Sequence, residues 1–359
     1  MTVNADPTAA LADGTAGGRP AAPIAVAVIG AGFMGERWGR ALHEHAGARV
    51  AVVGDPDAAR GGALAERLGA RHVADAREAA AAPGVDAVVV CTPEHLHLDA
   101  SLAALEAGRA LAVEKPIAHS SEEADAIVAA AERADVPVLA AHVLRFEPRY
   151  AAVRDAIARG EIGRVVAVRQ ERIGVAADRA RLGERTTVAL YYASHELDLA
   201  RWYAGDLVEV HGYGDPGELL SGALRFADGA HGTVQVGWCL PDRTPGFGLA
   251  GVTVIGEHGA LRVSQGDSGL LAVGCDGQLD ADVAWAPELH GRLGGALARE
   301  VDHFVAVARG DQAPLCTAAD GAAAVRASLA LEASAGIGST IEIERPRHGG
   351  SLTEETGVK

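Results

Sequence analysis

The sequence predicts an α/β protein in which a doubly wound parallel sheet is followed by an α+β domain with an antiparallel sheet. Two observations carry this prediction. Up to about His142, short apolar runs alternate with helical patterns of roughly 10–15 residues, which is typical of βαβ units and a parallel sheet. After that point, strand-like runs follow one another with only Gly, Asp or Pro between them, which favours antiparallel pairing. The length of 359 residues suits about two domains.

The first part of the chain contains six predicted strands. Ile24–Ile29 is a continuous apolar run that ends at a glycine, as expected of a strand buried on both faces. The other strands are Arg49–Gly54, Arg71–Ala74, Ala87–Cys91, Ala110–Val113 and Pro137–Ala141. Apolar residues at helical spacing, together with cap residues, predict helices between these strands. They are Met34–His45, Asp57–Leu68, Leu98–Ala107 and Ser121–Ala134.

The second part combines predicted helices with a longer series of predicted strands. The helices are Phe146–Arg159, Leu190–Tyr203, Leu297–Arg309 and Ala318–Ala335. The strands are Arg164–Arg172, Val208–Tyr213, Leu219–Phe226, His231–Trp238, Gly248–Gly256 and Ala260–Ser264. We therefore expect one domain at 23–143 and a second at 144–345, between a disordered tail at 1–22 and a flexible tail at 346–359.

The composition argues against several functional classes. The formal charge is −16, from 32 Lys and Arg against 48 Asp and Glu, whereas nucleic acids and anionic membranes are bound by basic faces. No apolar run reaches the roughly 18 residues of a membrane span, and the N-terminal residues lack the pattern of a signal peptide. The spacing of the cysteines fits neither a zinc motif nor a disulfide framework, so we expect a cytoplasmic protein. They are Cys91, Cys239, Cys275 and Cys316.

A glycine-rich turn follows the first predicted strand and opens the first predicted helix. Gly30, Gly32 and Gly35 fit the pattern G-x-G-x-x-G, in which the backbone approaches a pyrophosphate at a helix N-terminus. Asp55 closes the second strand, where an acid accepts hydrogen bonds from ribose hydroxyls and repels a ribose phosphate, so NAD is favoured over NADP. The alternative is a tight turn followed by a helix-capping aspartate. The predicted cofactor residues here are Gly30, Gly32, Phe33, Met34, Gly35 and Asp55.

Lysine is almost absent from the chain, which uses arginine for its other cations. Lys115 and Lys359 are the only lysines, and Lys359 is the last residue. Lys115 directly follows the fifth strand, at the sheet edge where doubly wound folds bind ligands. A compact amine with a tunable pKa cannot be exchanged for a guanidinium, so position and rarity point to a functional role. The alternative is a chance survivor of codon bias.

Four other polar residues are weaker candidates. His195 stands near the start of a predicted helix and could abstract a hydroxyl proton near neutral pH, although a capping or buried histidine is the alternative. His95 and His97 follow the fourth strand, and with no third ligand nearby they favour a cofactor-lining loop over a metal site. Arg145 could contact substrate or form a salt bridge.

These motifs together resemble the glucose–fructose oxidoreductase / inositol dehydrogenase / MocA family. The resemblance covers about 24–343, and its specific part is Glu114-Lys115-Pro116 combined with the downstream His195-Glu196-Leu197-Asp198. It implies a Rossmann domain that binds a nicotinamide cofactor, and a second domain with a large open antiparallel sheet that binds substrate. It also implies a sugar or cyclitol substrate and a homodimer or homotetramer associated through that sheet.

The resemblance further implies roles for individual residues. Lys115 would hydrogen-bond the reacting oxygen and the cofactor, and His195 would be the general acid and base. Many family members carry aspartate four residues before the histidine, whereas this chain has Tyr191. Three readings stay open: Tyr191 or Tyr192 takes a polar role, Lys115 and His195 suffice, or the reaction is modified. The residues expected to line the nicotinamide are Thr92, Pro93, His97 and Glu114.

The main hypothesis is therefore an NAD(P)-dependent dehydrogenase acting on a ring hydroxyl of a sugar, cyclitol or aminosugar-type substrate, with a biosynthetic pathway as its proposed context. One alternative keeps NAD bound and uses transient oxidation for epimerisation or glycoside cleavage. Another is a non-catalytic sensor of NAD or sugar. The three differ in whether net NADH appears, product appears without NADH, or binding occurs without turnover.

Overall fold

The computed structural model describes residues 22–183, 185–244, 248–264, 272–274, 277–279 and 282–343. Almost all of both predicted tails therefore lies outside the described residues. The first part of the chain forms a six-stranded sheet in which every pairing is parallel. Its strands are β1 (Ile24–Ile29), β2 (Ala48–Gly54), β3 (Arg71–Val73), β4 (Ala87–Val90), β5 (Ala110–Glu114) and β6 (Val138–Ala141). The predicted doubly wound parallel sheet is confirmed.

Helices connect these strands, as the alternating pattern predicts. Asp57 caps the second helix by accepting from the amides of Ala59 and Arg60, and Ser120 caps the fifth in the same way. The short third helix was not predicted, because five residues are too few to show a helical period. The helices are α1 (Phe33–Glu44), α2 (Ala58–Leu68), α3 (Ala76–Ala80), α4 (His97–Glu106) and α5 (Ser121–Ala134).

The strand order β3-β2-β1-β4-β5-β6 reverses direction between β1 and β4. In doubly wound sheets this reversal opens a crevice at the carboxyl ends of the strands, where ligands bind. Parallel strands bring the residues that follow them to one common edge. That edge carries Gly30 after β1, Cys91 and Thr92 after β4, Lys115 after β5 and His142 after β6.

The second sheet has seven strands in the order β12-β11-β7-β10-β9-β8-β17. Most neighbours are antiparallel as predicted, but the central pair β7 and β10 is parallel. The reason is the connection through residues 176–206, which contains helices and returns the chain to run in the same direction, as parallel strands require. The strands are β7 (Val165–Val175), β8 (Leu207–Asp215), β9 (Leu219–Phe226), β10 (His231–Leu240), β11 (Leu249–Gly256), β12 (Ala260–Ser264) and β17 (Ile341–Glu342).

Five further helices and two small hairpins complete the described chain. The helices are α6 (Pro148–Ala158), α7 (Ala176–Leu182), α8 (Ser194–Ala204), α9 (Gly295–Ala308) and α10 (Ala318–Ile337). The hairpin strands, none of them predicted, are β13 (Ala272–Gly274), β14 (Gly277–Leu279), β15 (Glu288–Leu289) and β16 (Arg292–Leu293). The predicted helix at Leu190–Tyr203 is in fact a π-helical turn, Ala189–Ala193, that runs into α8.

Two hydrophobic cores hold these layers together, one around each sheet. The apolar face of α9, including Val301 and Phe304, packs into the first core although it lies late in the chain. Helix α10 contributes to both cores, with Val325 in the first and Leu331 in the second. The two sheets therefore meet across α10. Within the described residues, no helix has both the length and the apolarity to cross a membrane.

Candidate active site

The glycine-rich turn between β1 and α1 is shaped by backbone contacts. Gly30 has a φ of +94°, and a Cβ at Gly35 would lie 1.7 Å from the carbonyl oxygen of Gly30. Side chains are excluded from both positions for these reasons. At Gly32, by contrast, a Cβ would meet nothing within 4 Å, and the N-terminus of α1 has no side-chain cap. The helix therefore offers free amides beside an open space, which fits the pyrophosphate of a dinucleotide.

Asp55, predicted to receive the ribose, is buried at the end of β2 with 2% of its surface exposed. Its carboxylate accepts hydrogen bonds from the amides of Ala31 at 2.7 Å and Asp57 at 2.9 Å, and from the guanidinium of Arg60 at 2.8 Å. Burial by itself would raise the pKa of Asp55, but these hydrogen bonds outweigh it and lower the pKa. The carboxylate is therefore ionised and joined to a half-exposed cation, which the sequence did not anticipate.

Phe33 projects from the turn with 56% of its surface exposed. Its ring stacks on Trp285, with centroids 5.8 Å apart and planes at 7°. The guanidinium carbon of Arg37 lies 3.5 Å from the centroid of the Phe33 ring. The loop before α9 is thus in contact with the predicted cofactor turn. Sequence reasoning missed Trp285, since no local pattern links it to a turn about 250 residues earlier.

The loop after β4 is held by His97, which is 1% exposed. One ring nitrogen lies 2.8 Å from the carbonyl oxygen of Thr92, and the other lies 2.9 Å from that of Pro116. Both nitrogens therefore face carbonyl groups, so His97 joins the loops that follow β4 and β5 and has no nitrogen free for a metal. His97 thus holds the loop that is predicted to line the nicotinamide, while His95 is exposed.

Glu114, at the end of β5, is a buried carboxyl group whose oxygens are already engaged. One oxygen accepts from the indole of Trp38 at 2.8 Å, and the other accepts from the amide of Lys115 at 3.2 Å. Burial raises the pKa of Glu114. A second buried carboxyl, Glu300 on α9, has its pKa raised well above the usual range by burial and by the charge of Glu114. Two buried carboxyl groups with raised pKa values therefore lie close together at the end of β5.

Lys115 reaches from the β5 edge to the chain segment that precedes α8. Its Nζ donates a hydrogen bond of 2.8 Å to the carbonyl oxygen of Tyr191 and lies 4.3 Å from the centre of the Tyr191 ring. Burial lowers the pKa of Lys115 to about 8, against the opposing charge of Glu114. The amine is therefore mostly protonated at neutral pH, yet close enough to titration to take part in proton chemistry.

His195 is in the first turn of α8, directly after the π-helical turn. Such turns often occur at functional sites, and this one contains the carbonyl that Lys115 binds. Burial lowers the pKa of His195 well below its ordinary value, and the charges of Lys115 and Arg172 lower it further. The structure thus brings the two predicted catalytic residues to one cleft, with His195 neutral and able to accept a proton.

Tyr191 and Tyr192 form an aromatic wall with Trp238 on β10, with ring centroids between 4.9 and 6.3 Å apart. The Tyr192 hydroxyl donates to Asp178 at 2.6 Å, and the Tyr191 hydroxyl accepts from Arg181 at 3.5 Å. Both hydroxyls therefore point toward α7. Behind them lies a buried ion pair that the sequence did not indicate, between Arg172 Nε and Glu196 Oε1 at 2.7 Å.

Arg145 takes the salt-bridged position that the sequence left open as the alternative to substrate contact. Its guanidinium donates to both carboxylate oxygens of Asp198, at 2.9 and 2.6 Å, and to the carbonyl of Leu315 at 2.7 Å. The side chain is 3% exposed. This bidentate pair ties the turn after β6 to α8, so it fixes the helix that carries His195.

Three buried groups of ligating chemistry meet behind His195. They are His142, Asp198 and Cys316, whose ligand atoms lie within 4.8 Å of one another. Both oxygens of Asp198 already accept hydrogen bonds from Arg145. The guanidinium of Arg145 therefore supplies the positive charge that a metal ion would otherwise supply at this carboxylate. His142 was missed by the sequence reasoning, since nothing local distinguishes it among 14 histidines.

Comparison with known proteins places the chain among oxidoreductases. The model of the oxidoreductase family with an NAD-binding Rossmann fold (GFO_IDH_MocA) matches residues 24–142. The model of the GFO/IDH/MocA C-terminal domain matches residues 150–262. Together the two models span more than half of the chain, and the turn that contains Arg145 lies between the two matched ranges.

Three similar proteins are informative. Inositol 2-dehydrogenase of Rubrobacter xylanophilus is 28% identical over 89% of this chain and 93% of its own length. The 2,7-anhydro-N-acetylneuraminate hydratase of Mediterraneibacter gnavus is 27% identical over 68% of each chain. The solved structure of GenD2 from gentamicin A biosynthesis, in complex with NAD, has a TM-score of 0.77 and 25% identity over 92% of this chain and 99% of that one.

Proposed function

Since the chain belongs to the GFO/IDH/MocA oxidoreductase family, we propose that it is an NAD-dependent dehydrogenase of a ring hydroxyl in a sugar, cyclitol or aminosugar-type substrate. One observation carries this proposal. Lys115 Nζ, at the carboxyl edge of the dinucleotide-type sheet, is bonded to the carbonyl of Tyr191 in the turn that leads into His195. A cationic donor and a neutral base therefore stand together where a nicotinamide would end.

In the proposed reaction, His195 accepts the proton of the substrate hydroxyl. Its lowered pKa keeps it neutral before the reaction, as a base must be. Lys115 donates a charge-assisted hydrogen bond to the same oxygen and stabilises the negative charge that develops there. The nicotinamide, when bound, supplies the acceptor for the hydride that leaves the carbon. In the reverse direction, His195 returns the proton to the carbonyl oxygen.

Tyr191 and Tyr192, which pack on the buried Trp238, are half-buried aromatic side chains suited to the apolar face of a sugar ring. The Arg172–Glu196 ion pair offers charged partners nearby for ring hydroxyls. These features support a polyhydroxylated ring as the substrate class. The inositol dehydrogenase and the protein from gentamicin biosynthesis, an aminoglycoside context, point in the same direction.

We propose NAD as the preferred cofactor, because Asp55 is ionised and would repel a 2′-phosphate. Arg60 is the residue that could oppose this preference, since its guanidinium is half exposed beside Asp55. Replacing Arg60 by alanine tests the point through the KM values for NAD and NADP. We expect NADP to remain the poorer cofactor and to become poorer still. A wild type that prefers NADP would refute the assignment of NAD.

The decisive experiment is a panel of cyclitols, sugars and aminoglycoside-type compounds, with NAD and with NADP, followed by the absorbance of NAD(P)H. Substrate-dependent NADH formation that is lost in His195→Ala supports the proposal. NAD binding without turnover of any compound would favour a sensor instead. The panel also identifies the substrate class through the ring types that react.

A second candidate function is an enzyme that retains NAD and oxidises its substrate only transiently. The similarity to a protein named as a hydratase favours this candidate, because a hydratase produces no net NADH. The same panel, analysed by mass spectrometry for products, distinguishes the two functions. Product without net NADH identifies the retaining enzyme, and equimolar NADH identifies the dehydrogenase.

We also propose a homo-oligomer that associates through the second sheet. The outward face of that sheet exposes large apolar side chains at Tyr213, Leu249 and Ile255, each more than 40% exposed. Leu249 and Ile255 lie on β11 and Tyr213 lies on β8, so exposed apolar side chains stand near both sides of this face, where a second copy of the sheet would bury them. Light scattering of the purified chain measures the mass, and the substitution Ile255→Asp is expected to shift it toward the monomer.

A further inference from the structure

A second histidine packs directly against the proposed catalytic base. His142 follows β6, at the same sheet edge as Lys115, and is 1% exposed. Its ring meets the ring of His195 edge to face, with centroids 6.4 Å apart and planes at 86°. The first domain therefore contributes a side chain that limits how the His195 ring can turn.

The nitrogens at this contact lack hydrogen bonds within the part of the chain that the structure describes. Both nitrogens of His142 and Nδ1 of His195 are buried in this state. Buried polar atoms are rarely left so, and an exception calls for an explanation. His142 Nδ1 lies 3.6 Å from Oδ2 of Asp198, beyond a hydrogen bond but within ion-pair range. His142 therefore lies between the His195 ring and the Asp198 carboxylate, so a path from the base to this carboxylate would pass through His142.

The charges around His195 explain what such a path would do. Lys115 and Arg172 both act on His195 with positive charge, so a proton taken from substrate adds a further positive charge. Glu196, the next residue, is already paired with Arg172. Asp198 is the carboxylate on the far side of His142. Its pKa is lowered even though burial alone would raise it, because the guanidinium of Arg145 stabilises the ionised form.

We propose that His142 is a positioning residue that holds the His195 ring and couples it to the Asp198 carboxylate. The proposal rests on the proposed function, in which His195 is the base. Tyr191 and Tyr192 do not compete for this role, since their hydroxyls are bonded toward α7. The geometry thus answers the question that the tyrosine at position 191 left open in the sequence.

The charged and titratable groups that face His142 come from several elements. Burial lowers its pKa, so His142 is neutral at neutral pH and can accept positive character from His195. The groups acting on it are Asp198 on α8, Arg145 in the turn after β6, Lys115 after β5 and Asp320 on α10. Cys316 also contacts Asp198, with Sγ 3.8 Å from Oδ1, and His195 faces the ring edge.

The test compares His142→Phe, which keeps a flat ring but removes both nitrogens, with His142→Gln, which keeps a polar group. We expect kcat of His142→Phe to fall by about 10- to 100-fold, the usual cost of losing an orienting partner. KM for NAD should stay within about twofold, because the glycine-rich turn is untouched. His142→Gln should recover part of the lost kcat.

The pH profile separates positioning from packing. Without its path to Asp198, the imidazolium of His195 is less stable, so the acidic limb of kcat against pH should move to lower pH in His142→Phe. A packing role alone would leave that limb in place. His231→Ala is the control, since it removes an exposed histidine at the start of β10, and its kcat should equal that of the wild type.

A double-mutant cycle completes the test. Asp198→Asn should lower kcat in the wild-type background and cost less in His142→Phe, because the path is already broken there and only the pairing with Arg145 remains to be lost. Circular dichroism and NADH fluorescence establish that each variant is folded and binds cofactor. If His142→Phe fails to fold, His142→Gln and its pH profile carry the test.

The outcomes are distinct for the two proposals. Wild-type kcat together with an unmoved acidic limb in the folded His142 variants would overturn the role of His142 while leaving the dehydrogenase intact. Undiminished turnover in His195→Ala would instead overturn the proposed function. Loss of kcat with a shifted limb and a non-additive cycle supports the coupling.

Discussion

The glycine-rich turn and the catalytic cleft lie on the same sheet edge but are built in opposite ways. Around the turn, the Asp55 carboxylate accepts hydrogen bonds from the amides of Ala31 and Asp57 and from the guanidinium of Arg60, which also neutralises its charge. In the cleft, His195 Nδ1 and His142 lack hydrogen bonds within the described residues, and two cations face the base. The contrast teaches that the polar groups on the cofactor side are already hydrogen-bonded within the protein. On the catalytic side, histidine nitrogens remain available to bind substrate or to exchange protons.

The two regions also differ in how their pKa values are set. Hydrogen-bond partners lower the pKa of Asp55 and stabilise its charge, so this residue helps the fold near neutral pH. Burial and like charges lower the pKa values of Lys115 and His195, which disfavours their charged forms. Groups destabilised in this manner are poised to exchange protons, a feature of functional sites. The following predictions test this difference.

The largest effect is expected from removal of the proposed base. His195→Ala should reduce kcat by about 10²–10⁴, the range for a lost acid or base, because the hydroxyl proton loses its proposed acceptor. NAD binding, measured by fluorescence titration, should remain. His231→Ala, at the exposed start of β10, is the control and should be fully active.

Loss of the lysine should be nearly as severe. Lys115→Met is expected to reduce kcat by about 10²–10³, because the developing negative charge loses its donor. Lys115→Arg should stay strongly impaired, since a guanidinium is larger and planar and cannot occupy the place of the amine against Tyr191. Full activity of Lys115→Arg would show that only the charge is needed at this position.

The pH dependence should report the same lysine. The pKa of Lys115 is about 8, so the amine is protonated below that pH and neutral above it. We expect kcat/KM for alcohol oxidation to fall about tenfold per pH unit above this pKa, once the donor has lost its charge. Steady-state rates between pH 6 and 10 give the profile. A profile that stays level to pH 10 would contradict the role of the charged amine.

The smallest effects are expected from alanine substitutions at two glycines of the cofactor turn, which should differ in their melting temperatures. A Cβ at Gly32 meets no protein atom within 4 Å, so Gly32→Ala should leave the melting temperature unchanged but raise KM for NAD by crowding the pyrophosphate. A Cβ at Gly35 would collide with the carbonyl of Gly30, so Gly35→Ala should lower the melting temperature as well. Equal melting temperatures for the two variants would argue against this account of the turn.

Much of the fold and part of the site could be predicted from sequence. The strands and most helices of the first domain, the glycine-rich turn and the role of its edge follow from local patterns, and the family resemblance is confirmed. The short α3, the π-helical turn and the parallel pairing of β7 with β10 could not be derived in this way. Helix α3 is too short to show a helical period. The π-helical turn differs from an α-helix by one inserted residue, and the parallel pairing depends on the path of the long connection between β7 and β8.

By itself, the sequence determined the alternating βαβ pattern, the glycine-rich turn with Asp55 at the end of the second strand, and the single interior lysine at the carboxyl edge. These features are encoded within one or two adjacent elements, so spacing and composition reveal them. Only the tertiary structure decided that Lys115 binds the turn leading to His195, that Arg145 pairs with Asp198, and that His142 lies against the base. The physical reason is separation: these contacts join residues 53 to 76 positions apart, and no local period records which distant side chains meet.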